Sequence, residues 1–195
     1  MVAAKNPVVL VHGFKDSGKK MSPMANWLHE RGWETHTPTL TPSWGQVGID
    51  ILAQQLANYV DSTLGLDAKF DLIGFSMGGL ATRYYLQNLG GYRRVDRYIS
   101  IAAPHHGTAM AYLWPLAGAK QMRPGSGFLR DLDANREVLN QLKVTSIWTP
   151  LDLMIVPATS SRLAFAREYK IPLPAHPLMV YSEKVFHIIE QELEK

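Results

Sequence analysis

The sequence predicts an α/β fold, a mostly parallel central sheet with helices on both faces. Three observations carry this expectation. Short apolar runs alternate with stretches of helical periodicity along most of the 195 residues. The apolar runs are continuous and not alternating, as in strands covered on both faces. A glycine-rich turn at residues 74–78 leads out of one such run and into a helical pattern.

The elements follow in order. Val8–Val11 is a short apolar strand before a glycine loop. Ser22-Pro23 opens a helix, with Ser as cap and Pro at its first position; Met24, Trp27 and Leu28 continue it and Gly32 closes it. Residues 33–37 read as the next strand. Ile49, Leu52, Ala53, Leu56 and Val60 mark a longer helix that ends at Gly65. Phe70–Phe75 is a strand, 77–89 a helix with Leu80, Ala81 and Tyr84 on one face, and 95–102 a strand. Between 103 and 142 the pattern loosens around Pro104, Pro115 and Pro124, with one helix expected near 131–142. Residues 144–148 form a strand, His176 lies in a loop after this last strand region, and a final helix begins near Ser182. The length suits one domain, 1–195, with 103–142 as a small flap.

Composition removes several classes of function. Hydrophobic residues make up 46 % and charged residues 19 %, an ordinary globular balance. The absence of cysteine excludes disulfides, thiolate metal sites and a cysteine nucleophile. The net charge is +3 and the basic residues are scattered; the densest group, Arg93, Arg94 and Arg97, is broken by Val95 and Asp96. Nucleic acid is therefore not an expected partner. No apolar run is long enough to cross a membrane, and a first strand at Val8 leaves no room for a secretory leader, so the expected location is cytoplasmic.

The chemistry centres on Gly74-Phe75-Ser76-Met77-Gly78-Gly79. A strand runs into this G-x-S-x-G pattern and a helix leaves it, the context that a strained nucleophile elbow requires. Gly at both flanks avoids Cβ clashes in so tight a turn. The start of a helix offers free N–H groups and a dipole that favour a developing negative charge. Directly after the first strand stands His12-Gly13-Phe14. The backbone N–H groups of Phe14 and Met77 are the expected oxyanion donors. The His12 side chain is read as a brace that shapes this hole and borders the substrate, without transferring protons.

Val8–Val11 with His12-Gly13-Phe14, together with residues 74–79, resembles the α/β-hydrolase family, and within it the small bacterial lipases and carboxylesterases with little or no lid. The resemblance implies that fold with a minimal cap, and an acyl-ester hydrolase working through a Ser-His-Asp triad and an acyl-enzyme, with no cofactor. It also implies the chain order Ser, acid, His. His12, His29 and His36 precede Ser76 and fall out of order. His105-His106 lies in a loop that borders the pocket in this family. No further ligand stands nearby at metal spacing, so no metal is expected. His187 falls inside the last helix. His176, in a rigid loop between Pro174 and Pro177, resembles the family's catalytic-His loop. Asp152 follows the 144–148 strand in an apolar setting where a carboxylate needs a partner, and Val156-Pro157 after it matches the family pattern. Asp131 and Asp133 are the alternatives, read as a solvated face with Arg130 and Arg136.

Ser76, Asp152 and His176 are thus the predicted triad, and His12, His105 and Trp114 the predicted substrate contacts. The flap is apolar at Met110, Tyr112, Leu113, Trp114, Leu116 and Met122, which suits an acyl chain and contact with a lipid surface. Acyl transfer, another chemistry of the same fold, and a non-catalytic binding module are the competing readings.

Overall fold

A computed structural model describes residues 5–195. Its centre is a six-stranded sheet of β1 (Val8–Val11), β2 (Thr35–His36), β3 (Phe70–Phe75), β4 (Val95–Ile101), β5 (Lys143–Trp148) and β6 (Arg167–Lys170). The strand order is β2-β1-β3-β4-β5-β6, and every neighbouring pair is parallel. This is the α/β-hydrolase arrangement that the motifs implied.

Alternation along each strand divides the core in two. Val9, Val11, Phe70 and Leu72 face α2 (Ile49–Leu64) and α3 (Met77–Asn88), whose Leu52, Leu56, Leu80 and Leu86 complete that layer. Val8, Leu10, Ile73 and Phe75 face α1 (Ser22–His29) and α6 (Glu183–Leu193), through Met24, Leu28, Val185 and Ile189. Both faces of the central strands are therefore apolar, which is why their sequences do not alternate. The flap region contributes α4 (Ala117–Gln121) and α5 (Gly127–Ala134). Leu129, Leu132 and Leu139 enter the α2/α3 layer, so much of this stretch is anchored in the main core.

Four details differ from the sequence expectation. Strand pairing at 33–37 is confined to Thr35–His36, because Pro38 lies just beyond and the chain turns away from the sheet edge. The helix expected near 131–142 starts earlier, where the Ser126 hydroxyl accepts from Leu129 N at 3.2 Å. It ends at Ala134, and a tight 3₁₀ turn, Arg136–Gln141, replaces the rest. Asp133 belongs to no solvated ladder with Arg130 and Arg136: it lies 2.8 Å from Arg83, which is completely buried and also donates to Leu132 O at 3.0 Å. The edge strand β6 is Arg-Glu-Tyr-Lys, polar because its outer side faces solvent.

The chain leaves β1, builds the edge strand β2, and returns across β1 to β3. Its direction of winding reverses between β1 and β3. Loops following these two strands leave the sheet at the same end and border a common crevice, the place where open parallel sheets bind ligands. The elbow at residues 74–78 and the loop at 12–14 both lie there.

Beneath α3 runs a buried polar row. The Tyr98 hydroxyl donates to Gly79 O at 2.7 Å, Thr82 donates to the same carbonyl at 3.0 Å, and Ser100 Oγ lies 2.7 Å from His105 Nε2. Burial, with Arg83 and His106 close by, holds His105 well below the ordinary histidine range. His12, also buried, is lowered by burial, partly offset by the Gly13 carbonyl. Both are neutral in the fold, whereas in the unfolded chain each takes up a proton near pH 6.5. Below that pH the unfolded state binds protons that the folded state refuses, so stability falls. Thermal melts should therefore show a lower midpoint at about pH 5.5 than at about pH 7.5; an equal or higher midpoint in acid would contradict the neutral assignment.

Candidate active site

Ser76 occupies the residue between β3 and α3 with φ 55° and ψ −127°, a conformation that side-chain-bearing residues rarely adopt. The turn is held by Ser76 N donating to Ile101 O and Gly79 N donating to Ser76 O, both at 2.9 Å. The surrounding main chain is packed so closely that two glycines are obligatory. A Cβ on Gly78 would lie 2.6 Å from Val11 O and against His12 O, and one on Gly13 would lie 2.8 Å from Ser76 Cβ. The loop after β1 therefore passes directly over the serine turn.

Phe14 and Met77 follow Gly13 and Ser76 on these two converging segments. Among the described residues, neither backbone N–H donates to another main-chain group. His12 is 2 % exposed and fully engaged: Leu40 N donates to its Nε2 at 3.0 Å, and its Nδ1 lies 2.9 Å from Gly13 O. It braces the loop as the sequence suggested, and the structure does not bring its ring to the crevice.

Asp152 and His176 come together from separate loops. His176 Nδ1 donates to Asp152 Oδ2 at 2.7 Å, and both side chains are buried. The other carboxylate oxygen, Oδ1, accepts from Met154 N and Ile155 N, each at 2.9 Å. The carboxylate thus has the partners that an apolar setting demands, and its bond to Nδ1 leaves Nε2 as the acceptor nitrogen. The imidazole packs on the Phe75 ring with centroids 4.9 Å apart, which sets it beside the residue that precedes Ser76. Asp152 begins a side-chain-to-backbone turn spanning β5's exit loop.

An apolar cavity of about 200 Å³ opens at Ser76. Phe14, Met110, Trp114, Met122, Met154 and Ile155 give it its apolar walls, and Lys15 and Thr108 add polar atoms. Trp114 is where the sequence placed it. His105 is elsewhere, buried under α3 against Ser100. His187 is exposed on α6 and meets Trp27 edge-on at 4.8 Å. Sequence reasoning passed over Lys15, Thr108, Met154 and Ile155. Of these, Met154 and Ile155 had a usable signal: an Asp that caps the amides two and three residues on carries those residues to its own site. Thr108 is the joint of the cavity wall. Its hydroxyl donates to Met154 O at 2.8 Å and accepts from Val156 N at 2.9 Å, fixing the flap to the Asp152 loop.

Comparisons with known proteins bear on the family and the fold. The family model described as palmitoyl protein thioesterase matches residues 7–123, which include both glycine loops. The palmitoyl-protein thioesterase 3 of Dictyostelium discoideum is 30 % identical over 112 residues, which are 55 % of this chain and 38 % of that protein. A triacylglycerol lipase of Pseudarthrobacter phenanthrenivorans is 29 % identical over 117 residues, 56 % of this chain and 36 % of that one. The matched regions thus span little more than a third of the length of these curated relatives. Among solved structures, the mature form of Bacillus licheniformis lipase BlEst2 superimposes with a TM-score of 0.81 at 18 % identity, covering 98 % of this chain and 93 % of that one. At such identity the likeness speaks for the fold. With more than half of its length matched, residues 12–14 and 74–79 included, the chain belongs to the palmitoyl protein thioesterase family.

Proposed function

We propose that the protein is a serine hydrolase that cleaves acyl esters or thioesters through an acyl-enzyme. The observation that carries this reading is the buried His176–Asp152 hydrogen bond, its imidazole packed on the residue that precedes a strained serine at the mouth of an apolar cavity. In the proposed mechanism His176 Nε2 accepts the Ser76 proton as Oγ attacks the acyl carbonyl. The Phe14 and Met77 amides hold the oxyanion, fixed and sheltered from water. His176 then returns its proton to the leaving group, and water cleaves the acyl-enzyme by the same route reversed. Asp152 orients the imidazole and stabilises its charged form, and its second oxygen is held by the Met154 and Ile155 amides.

The cavity supports an acyl group as the part of the substrate bound here. Its walls are methionine, isoleucine and aromatic side chains. Its volume lies below the roughly 300–1,000 Å³ of ordinary ligand pockets, which favours short and medium acyl chains, with longer ones lying out across the surface. Tyr112, Leu113 and Leu153, chain neighbours of the lining residues Ala111, Trp114 and Met154, are exposed and suit contact with a lipid surface. The whole chain, 1–195, acts as one domain, with 103–142 as a flap tied down by Thr108, Arg83 and its buried leucines. No helix of the described residues is long and apolar enough to cross a membrane.

Three outcomes test the proposal. Wild-type protein should hydrolyse chromogenic acyl esters and be labelled at Ser76 by a fluorophosphonate, while Ser76→Ala should lose labelling and roughly 10⁵–10⁶ in kcat. Wild-type turnover by Ser76→Ala would end the reading. Asp152→Asn keeps an oxygen for the Met154 and Ile155 amides but presents N–H to His176 Nδ1, forcing the proton onto Nε2. Its kcat should drop by about 10³–10⁴ with circular dichroism unchanged; near-normal kcat would remove Asp152 from the triad. Across matched oxygen esters and thioesters from acetyl to stearoyl, kcat/KM should peak below about ten carbons, and a steady rise to stearoyl would contradict the cavity argument.

A further inference from the structure

Resting on the hydrolase reading, one charged side chain in the cavity wall has no place in that chemistry. Lys15 follows the oxyanion donor Phe14 directly and lines the same cavity as Ser76. Its backbone is held in the left-handed region, φ 60°, and its N–H donates to Ser43 O at 2.9 Å. So the chain turns sharply after Phe14 and carries the lysine stem across the opening. The ammonium lies over three aromatic rings: 3.7 Å from the centroid of Trp114, 4.8 Å from Trp44 and 5.6 Å from Phe14. No carboxylate of the described residues pairs with it, and no other residue lining the cavity carries a charge.

Three rings around an ammonium are the arrangement by which proteins recognise a bound cation. Here the cation is the protein's own. Ring faces attract it without using its N–H donors, which meet no acceptor among the described residues and remain available to a ligand. With the ammonium already in the cage, a cationic substrate meets a filled site and like charge. An anionic substrate meets a positioned, unpaired donor beside apolar walls that weaken competing hydration. A cavity of this size brings any small acyl group that occupies it within reach of both Ser76 and Lys15.

We propose that Lys15, caged by Phe14, Trp44 and Trp114, is an anion-recognising subsite, and that the preferred substrates are acyl esters or thioesters bearing a carboxylate or phosphate close to the scissile bond. The anion can belong to the acyl group or to the leaving group, and the experiment separates the two. For the acyl side, 4-nitrophenyl half-esters of glutarate and adipate are compared with 4-nitrophenyl pentanoate and hexanoate. For the leaving-group side, 3-carboxy-4-nitrophenyl pentanoate is compared with 4-nitrophenyl pentanoate, each corrected for its rate with hydroxide. The readout is the ratio of kcat/KM for the anionic ester to that for its neutral match, so a general loss of activity cancels. In one of the two arms, Lys15→Met should lower this ratio by about threefold to fivefold, as expected for a partly exposed ion contact. Lys15→Arg should keep it within about twofold, and Lys15→Glu should lower it further. Raising NaCl from about 20 mM to about 0.5 M should bring the wild-type ratio toward that of Lys15→Met. An unchanged ratio in Lys15→Met and Lys15→Glu in both arms overturns the subsite while leaving the hydrolase reading intact. Absence of hydrolysis of every ester, neutral and anionic, overturns both.

Discussion

Main chain meets main chain at the carboxyl ends of β1 and β3, and the rest of the site is arranged around that meeting. Three segments, 11–14, 74–79 and 101–103, approach so closely that side chains are excluded from Gly13 and Gly78. The contact requires parallel neighbouring strands that end at the same level, which the β1–β3 register provides by pairing Val11 with Gly74. It also requires a serine backbone in an unfavourable conformation, which the Ile101 carbonyl and the start of α3 hold in place. Strain of this kind persists only where surrounding packing over-determines the geometry. Here that packing includes both faces of the sheet and the buried polar row beneath α3.

The second half of the site is fixed by hydrogen bonds in place of close packing. Asp152 lies on an irregular loop after β5, and His176 opens a short 3₁₀ turn, His176–Val180, after β6. Three hydrogen bonds saturate the Asp152 carboxylate, one to the imidazole and two to its own loop. Thr108 ties that loop to the flap, and the Phe75 ring supports His176. Loops positioned by a rigid sheet are the usual carriers of such groups.

Much of this was legible in the sequence, for identifiable reasons. Doubly covered strands write themselves as apolar runs, and the elbow writes itself as glycines whose spacing is imposed by contact. The family resemblance, through its chain order, the His176 loop and Val156-Pro157, together with the apolar surroundings of Asp152, singled out the pair that the structure joins. What escaped detection lacked a local pattern. β6 is an edge strand of polar residues and carries no apolar period. Nothing near Asp133 shows that it meets Arg83, 50 positions away, because a long-range ion pair leaves no trace in periodicity. His12 and His105 look alike as polar residues in loops bordering a predicted pocket. Only the three-dimensional path shows both rings turned away from it, one toward Leu40 and Gly13, the other toward Ser100. Lys15 was hidden for a similar reason: its aromatic partners stand 29 and 99 positions further along the chain.

The turn at 152–155 serves two masters. Its amides hold the Asp152 carboxylate while the side chains of Met154 and Ile155 form the cavity wall. This divides the ways in which the protein can diversify. Exchange of the two wall side chains alters the shape of the cavity and leaves the amides where they are. Insertion or deletion in the same turn displaces Asp152 together with the wall. Along this edge, descendants of the sequence can explore new substrates by substitution, whereas changes of length are confined to segments such as the exposed stretch around Tyr112 and Leu113.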